Sequence, residues 1–193
     1  MNFFELVLTL FLIFLSLNSF CLFKYINKNF MFKEIYIDEL TQVYNRKFFN
    51  KKITLNNKKY IVIGIDIDHF KNINDTYGHL IGDLVLKTLG KLFIHNIKQD
   101  KDYVIRFGGE EFNIFIEVND DKFDKNIIIN RIENLRKKIE NLEILHKDNE
   151  LIKITSSFGI SFDIELNDIK QQIEIADKKL YEAKKTGRNK VCF

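Results

Sequence analysis

The sequence predicts a mixed α/β (α+β) fold in which helices flank a mixed sheet that contains an antiparallel hairpin, preceded by one transmembrane helix. Three observations lead to this fold class. An almost unbroken apolar run near the N-terminus has the length of a membrane span. Apolar and β-branched runs then alternate with longer amphipathic stretches, which favours a sheet with helices packed on it. A Gly-Gly pair between two strand-like runs adds the hairpin.

The composition limits the classes of protein that fit. With 193 residues, the chain can form one domain of ordinary size and a short appendage. It is 46% hydrophobic and 30% charged, so a sizeable core is expected. The formal net charge of +3 is too small to indicate nucleic acid as the main partner. Cys21 and Cys192 match no metal-ligand spacing, which fits a reducing compartment.

The N-terminal run is predicted to be a membrane anchor. A cleaved signal peptide is the alternative, but it should begin with basic residues and end in small ones. Here Lys24, Lys28 and Lys33 follow the run and no Lys or Arg precedes it, so the positive-inside rule places the following part in the cytoplasm. We therefore expect residues 1–23 to cross the cell inner membrane once. The run from Phe3 to Phe23 is interrupted only at Glu5, Thr9, Ser16, Asn18 and Ser19.

Residues 24–37 mix bulky apolar and charged side chains without a helix breaker. They are predicted to form a helical stalk that continues the membrane helix and can pair with a second copy, or simply a linker. The globular domain is expected to begin at Asp38 and to extend to residue 193.

A metal-binding acid is predicted at the end of the first long strand. The run from Tyr60 to Ile65 is continuously apolar and β-branched, as in strands that are covered on both faces. It ends in Asp66, Ile67 and Asp68, and ligands of α/β proteins gather where strands end. Because a buried, unpaired carboxylate is costly, a divalent cation beside Asp66 would stabilise it.

The polar segment over residues 70–83 has the groups that would recognise guanine. Asn74 can donate and accept, and Asp83 only accepts, so together they complement the N1–H and N2–H donors and the O6 acceptor of the base. Lys71 adds a positive charge, and His79 is the one histidine in this polar segment. The alternative is a helix–turn–helix with a glycine hinge and an ordinary cap.

The hairpin between Arg106 and Phe112 carries two acids directly after two glycines. A backbone without side chains lets an anion approach, and a neighbouring carboxylate can hold the cation that neutralises it. Taken alone, such a turn is more often a solvated acidic hairpin. The polar segment and the strand-end acid shift the balance towards a site for a metal-bound phosphate.

The rest of the chain completes the predicted layers. Helices are expected over residues 83–97, 120–145 and 168–185, with a strand over residues 151–162 and a short final strand over residues 190–193. This order of elements resembles a nucleotidyl-cyclase palm.

From Asp38 onward, about four-fifths of the chain resembles the GGDEF-domain family of bacterial diguanylate cyclases, with a GGEEF variant of the hairpin. Members of that family join two GTP molecules into cyclic di-GMP and release pyrophosphate, with one GTP on each of two facing subunits. The matching segments, which occur in the family's order, are residues 38–41, 45–46, 66–71, 74–79, 82–83, 106–112, 176–177, 181–184 and 187–189.

The resemblance implies a membrane-anchored, metal-dependent nucleotidyltransferase that acts as a homodimer in second-messenger signalling. Asp66, Glu110 and the Ile67 carbonyl would hold Mg²⁺ (or Mn²⁺). Glu110 would also be the candidate base for the ribose 3′-hydroxyl, and Glu111 would add charge to the same site. Two alternatives are a non-catalytic regulator that binds GTP or cyclic di-GMP on this fold, and a structural membrane protein whose acids only solvate its surface.

The remaining family positions would contact GTP. They fall into groups that read guanine, hold phosphates and let the triphosphate lie against the hairpin. These are Asn74, Asp83 and, as a lesser contact, His79 for guanine; Lys71, Lys184 and Arg188 for phosphates; and Gly108 and Gly109 at the hairpin.

One departure from the family concerns product inhibition. Many relatives carry an Arg-x-x-Asp site just before the hairpin strand, and the aligned residues here are Gln99 and Asp102. Without the arginine, the bidentate grip on a guanine or phosphate is lost. We therefore expect weak or absent product inhibition through this site.

Overall fold

The computed structural model of the chain describes residues 3–56, 58–97, 101–118, 123–146, 151–164 and 168–193. The chain divides into two compact units, Met1–Ile37 and Asp38–Phe193. The first unit contains helix α1 (Phe3–Tyr36), which runs without a break through both the predicted anchor and the predicted stalk. Within the described ranges, no helix has the length and apolar character needed to cross a membrane, and the transmembrane helix over residues 1–23 stays a prediction.

The second unit is built on a mixed sheet of six strands in the order β1-β3-β4-β2-β7-β8. These strands are β1 (Tyr44–Asn45), β2 (Lys59–Ile67), β3 (Asp102–Gly108), β4 (Glu111–Val118), β7 (Ser156–Ser161) and β8 (Val191–Cys192). Strand β2 is antiparallel to both of its neighbours, and β3 and β4 form the antiparallel hairpin. The edge strands β1 and β8 pair in parallel with β3 and β7. The predicted mixed sheet with an antiparallel hairpin is thereby confirmed.

The prediction of a single strand over residues 151–162 was wrong. Two short strands occupy that stretch: β6 (Leu151–Ile152) pairs with β5 (Ile144–Leu145) in a separate small sheet, whereas β7 joins the main sheet. The residues between β6 and β7 belong to neither sheet. They separate the strand that pairs with β5 from the strand that joins the main sheet.

The helices of the second unit are α2 (Arg46–Phe48), which continues as a π-helical turn (Phe49–Ile53), α3 (Phe70–Tyr77), α4 (His79–Asn96), α5 (Lys125–Glu140) and α6 (Ile169–Lys185). Asn45 caps α2, as its side chain accepts from the backbone N–H groups of Lys47 and Phe48. Helix α4 begins at His79 and not at the predicted Asp83. The reason is Gly78, whose φ of 83° lets the chain turn directly from α3 into α4.

Strand β2 lies at the centre of the domain and is covered on both faces, as its continuous apolar run predicts. Alternate residues such as Ile61, Ile63 and Ile65 join one buried cluster with side chains of α4 and α5. On the opposite face, α6 packs against the sheet so closely that Gly159 of β7 faces helix backbone. Asp66 therefore lies near the end of a strand that is buried from Tyr60 to Ile67, beside the C-terminal part of α6.

Candidate active site

The centre of the candidate site is the Asp66 carboxylate at the end of β2. Its side chain is largely buried, and the residue opposite it across the sheet is Glu111, the first residue of β4. The C-terminal part of α6 brings Lys184 to the same point, with its Nζ 2.7 Å from Asp66 Oδ2. The fold thus gathers a strand-end acid, a hairpin acid and a lysine that lie far apart in the sequence.

Burial raises the pKa of Asp66, and the negative charges of Glu110 and Glu111 raise that pKa further, against the opposing effect of Lys184. Both hairpin acids are thus close enough to change the pKa of the Asp66 carboxylate. One lysine shared among these acids leaves the cluster short of positive charge. A divalent cation would stabilise the ionised carboxylates more strongly than Lys184 alone.

The donor set fits a magnesium-type ion that is shared with a ligand. Mg²⁺ is usually bound by one or two carboxylates together with water and substrate phosphates. Across the residues that the structure describes, no group of three or more His, Cys, Asp or Glu side chains is arranged to hold a metal ion. A metal held by Asp66 and Glu110 would therefore need oxygens from elsewhere, such as the Ile67 carbonyl and the ligand.

Arg106 fixes the hairpin turn, a role that the local sequence pattern does not indicate. Arg106 donates from Nε and Nη2 to the Gly109 carbonyl, at 3.0 and 2.8 Å, and from Nη1 to Asp38 Oδ1 at 3.0 Å. Asp38 also accepts from the backbone N–H and the hydroxyl of Thr41. A Cβ atom at Gly108 or Gly109 would meet nothing within 4 Å, so the surface of the hairpin is open.

The two predicted guanine-reading residues lie on adjacent helices. Asn74 is on α3, and Asp83 follows Gly82 in the first turns of α4. The Asn74 side chain rests on the bare backbone of Gly82, where an added Cβ would lie 3.0 Å from Asn74 Cγ and nearer still to Oδ1. Gly82 therefore makes the room that Asn74 needs beside Asp83. Lys71 and His79 are exposed on the same pair of helices.

Replacing Gly82 with Ala is expected to displace the Asn74 carboxamide and to weaken GTP binding about tenfold, a loss comparable to that of one good polar contact. A Gly-to-Ala change inside a helix normally stabilises it by roughly 1 kcal/mol, so stability itself should not fall sharply. Titration with a fluorescent GTP analogue, beside thermal unfolding, checks both expectations. A control is Leu80→Ala, which changes an exposed residue of the same helix. Unchanged GTP affinity in Gly82→Ala would contradict the role of this contact.

The turn after α6 carries Arg188, the third predicted phosphate ligand. Arg188 is exposed, and the next residue, Asn189, donates its backbone N–H to Asp68 Oδ2 at 3.0 Å. Asp68 also accepts from the hydroxyls of Thr155 and Ser157, both at 2.7 Å. The two strand-end acids therefore have different partners: Asp66 pairs with Lys184, and Asp68 holds the C-terminal turn.

A cavity of about 250 Å³ adjoins Asp66 between the sheet and α6. Its wall includes two acids and one lysine, namely Glu111, Asp177 and Lys184. A larger cavity of about 620 Å³ lies beside Asp68 and Lys153, and none of the predicted site residues lines it. The smaller cavity is the one that belongs to the candidate site.

The predicted product-inhibition remnant is described only in part. Gln99 lies outside the described residues, while Asp102 begins β3 and is buried. Asp102 Oδ2 lies 2.7 Å from Nη1 of Arg131 on α5. The retained acid thus already has a cationic partner within the domain.

A family model described as "Diguanylate cyclase, GGDEF domain" matches residues 35–190. Diguanylate cyclase A of Treponema denticola is 40% identical over 133 residues, which cover 68% of this chain and 34% of that protein. Diguanylate cyclase DosC of Escherichia coli is 34% identical over 165 residues, which cover 82% of this chain and 35% of that protein. The chain spans about a third of the length of these curated relatives.

Solved structures share the fold. The diguanylate cyclase SiaD of Pseudomonas aeruginosa, solved with its activator SiaC, matches with a TM-score of 0.78 and 25% identity, over 98% of this chain and 73% of that one. The active GGEEF domain of a diguanylate cyclase from Vibrio cholerae matches with a TM-score of 0.60 and 35% identity, over 70% of this chain and 82% of that one. The coiled coil and GGDEF domain of DgcB from Caulobacter crescentus has a TM-score of 0.75 over 96% of this chain and 98% of that one, and at 24% identity this match speaks for the fold alone.

Proposed function

Because the chain belongs to the family of diguanylate cyclases with a GGDEF domain, we propose that it condenses two molecules of GTP into cyclic di-GMP and releases pyrophosphate. The observation that carries the proposal is the buried Asp66 opposite Glu111. Burial raises the pKa of Asp66, and the nearby charges of Glu110 and Glu111 raise it further, so a divalent cation that comes with a triphosphate would stabilise the ionised carboxylate.

Asp66, Glu110 and the Ile67 carbonyl are proposed to hold Mg²⁺ (or Mn²⁺). The ion, when bound, would neutralise the triphosphate and polarise the α-phosphate. Glu110 would accept the proton of the attacking ribose 3′-hydroxyl, and Glu111 would add negative charge beside the ion. Lys184 pairs with Asp66 in the structure and would turn to a phosphate once the cation replaces it.

The other residues would orient GTP. The residues proposed to read the base lie on α3 and α4, and those proposed to hold phosphates lie on α3, on α6 and in the turn after α6. In this scheme Asn74 and Asp83 read guanine with His79 beside them, Lys71, Lys184 and Arg188 hold phosphates, and Gly108 and Gly109 let the triphosphate lie against the hairpin.

The Gly-Gly-Glu-Glu-Phe hairpin at residues 108–112 is proposed to be a competent variant. The similar Vibrio cholerae structure is described as an active GGEEF domain, which supports this view. Each domain would supply one GTP, so a homodimer in which two sites face each other would be required. The helical segment over residues 24–37 is the part proposed to pair the two copies.

The test is mass spectrometry of the products formed by the full chain in detergent with GTP and Mg²⁺, beside Glu110→Ala. Cyclic di-GMP from the parent and none from Glu110→Ala would support the cyclase and its metal site together. GTP binding without product, at protein concentrations that allow pairing, would instead support the non-catalytic regulator.

We also propose that residues 1–23 anchor the protein in the inner membrane as a single pass, with residues 38–193 in the cytoplasm. The support is the apolar run of the sequence and the lysines that follow it. Carbonate extraction of membranes from cells that express the full chain tests it, with residues 38–193 alone as the control. Release of the full chain into the supernatant would contradict the anchor.

Product inhibition through the Gln99–Asp102 site is expected to be weak or absent. Gln99 cannot provide an arginine's bidentate grip, and Asp102 is engaged by Arg131 at 2.7 Å. Initial rates of pyrophosphate release, measured with increasing added cyclic di-GMP, check this expectation. A sharp fall of the rate at low-micromolar cyclic di-GMP would contradict it.

A further inference from the structure

The turn that follows α6 has an unfavourable backbone conformation. Gly187, Arg188 and Asn189 have φ angles of 117°, 62° and 46°, so three consecutive residues lie in the left-handed region. Glycine adopts this region freely and asparagine tolerates it, but for arginine it is unfavourable. Such strain persists only where surrounding contacts hold the backbone in place, and it is concentrated at functional sites.

Asp68 holds the main chain of this turn. Its carboxylate is nearly fully buried and accepts the Asn189 backbone N–H at 3.0 Å while it also takes the Thr155 and Ser157 hydroxyls. Because a buried carboxylate that accepts several hydrogen bonds is firmly oriented, it fixes the residue next to Arg188 to the end of β2.

Arg136 holds the side chain of Asn189 in the same turn. It lies on α5, is only 8% exposed, and donates from Nη1 to Asn189 Oδ1 at 2.6 Å. Its guanidinium is held by Glu133 and Glu140, and Glu140 also accepts from Asn189 Nδ2 at 2.8 Å. Both ends of the Asn189 carboxamide are thus engaged by α5.

We propose that Asp68, Asn189 and Arg136 form a clamp that positions Arg188 towards the phosphates of the bound nucleotide. This inference rests on the proposed function, which assigns Arg188 to phosphate. The three are positioning residues: Asp68 and Arg136 hold Asn189, the residue next to Arg188, and none of the three touches the substrate. Without the clamp, the turn is expected to relax away from the strained conformation and Arg188 to lose its fixed direction.

The main test variant is Asn189→Gly in the full chain. Glycine accepts the left-handed backbone at this position and keeps the N–H that Asp68 accepts, but it removes both contacts to α5. The second variant is Arg136→Met, which keeps much of the side-chain volume and leaves two glutamates that are already partly exposed. The control is Lys58→Met, which breaks the 2.6 Å ion pair with Glu117 at the opposite end of β2.

Dissociation constants are measured for GTP and for guanosine, which lacks phosphates, and each variant is repeated in an Arg188→Ala background. The expected result is an affinity for GTP that falls about tenfold in both clamp variants, with guanosine affinity unchanged, no change in Lys58→Met and no further loss once Arg188 is gone. Equal weakening of GTP and guanosine, or a full additional loss in the Arg188→Ala background, would overturn the clamp.

The same measurements separate this inference from the proposed activity. If the parent binds GTP but forms no cyclic di-GMP, the proposed cyclase activity fails while the ratio of GTP to guanosine affinity still decides on the clamp. If the parent does not bind GTP at all, both proposals are overturned.

Discussion

Asp66→Asn is expected to lower the rate of cyclic di-GMP formation by about a thousandfold, the scale of loss seen when a main electrostatic contribution to a transition state is removed. Asparagine has nearly the same shape as aspartate, but it lacks the negative charge with which Asp66 would hold a divalent cation between β2 and the hairpin. The comparison is made with the full chain at saturating GTP and Mg²⁺, with cyclic di-GMP quantified by mass spectrometry.

The fold should survive this substitution. Burial raises the pKa of Asp66, which means that the ionised form is disfavoured in the folded protein, so a neutral side chain at this position costs little. Lys184 loses its partner, but its side chain is 32% exposed and can be hydrated. The thermal unfolding midpoint should therefore stay within a few degrees of the parent.

A matched control is available in the same pair of strands. Glu117 of β4 pairs with Lys58 at 2.6 Å, near the end of β2 that lies farthest from Asp66. Glu117→Gln breaks an ion pair of the same kind as Asp66→Asn and should leave the rate within about twofold of the parent, since surface ion pairs contribute little. An Asp66→Asn protein that kept a tenth or more of the parent rate would exclude the metal role of Asp66.

Gly159→Ala is expected to destabilise the domain by about 3 kcal/mol, the upper end of the usual cost of overpacking. An added Cβ would lie 2.8 Å from Leu180 Cα, and the Leu180 N and Ala176 carbonyl oxygen are closer still. All three are backbone atoms of α6, so no side-chain rotation can relieve the clash. Relief requires the helix to move away from β7, which the measured free energy of unfolding should register.

The control for this prediction is the residue directly across the sheet. Gly64 of β2 pairs with Gly159 and faces the same helix, but its added Cβ would lie 3.4 Å from Asn113 Oδ1 and 3.6 Å from a methyl carbon of Leu180. Gly64→Ala should therefore change stability by less than about 1 kcal/mol. Denaturant unfolding of both variants gives the comparison, and equal losses would show that the close approach of α6 is not the cause.

Local patterns in the sequence were sufficient for some of this architecture. The apolar run before Asp66 predicts a strand covered on both faces, because no polar residue interrupts it, and the acid at its end marks where a ligand would lie. The two glycines at 108 and 109 predict the hairpin in the same way. Both features depend on residues that are neighbours in the chain.

The contacts that organise the site could not be predicted in this way. Arg136 and Asn189 are 53 positions apart, and Asp68 and Asn189 are 121 positions apart. Arg106 reaches Asp38 over 68 positions. No periodicity within one sequence indicates which polar side chains will meet over such distances. The early start of α4 was missed for a local reason, namely that the left-handed Gly78 allows a helix to begin sooner than the apolar pattern shows.

Under the proposed roles of Asp66 and Lys184, the ion pair between them would link cation binding and nucleotide binding thermodynamically. While Lys184 lies 2.7 Å from Asp66, Asp66 is less available to a cation and Lys184 is less available to a phosphate. A cation that takes Asp66 frees Lys184 for a phosphate, and a phosphate that takes Lys184 leaves Asp66 free for a cation. Under the proposed roles, the factor by which the metal tightens GTP must equal the factor by which GTP tightens the metal. This single lysine would thereby make the site respond to the metal and the nucleotide together more than to either one alone.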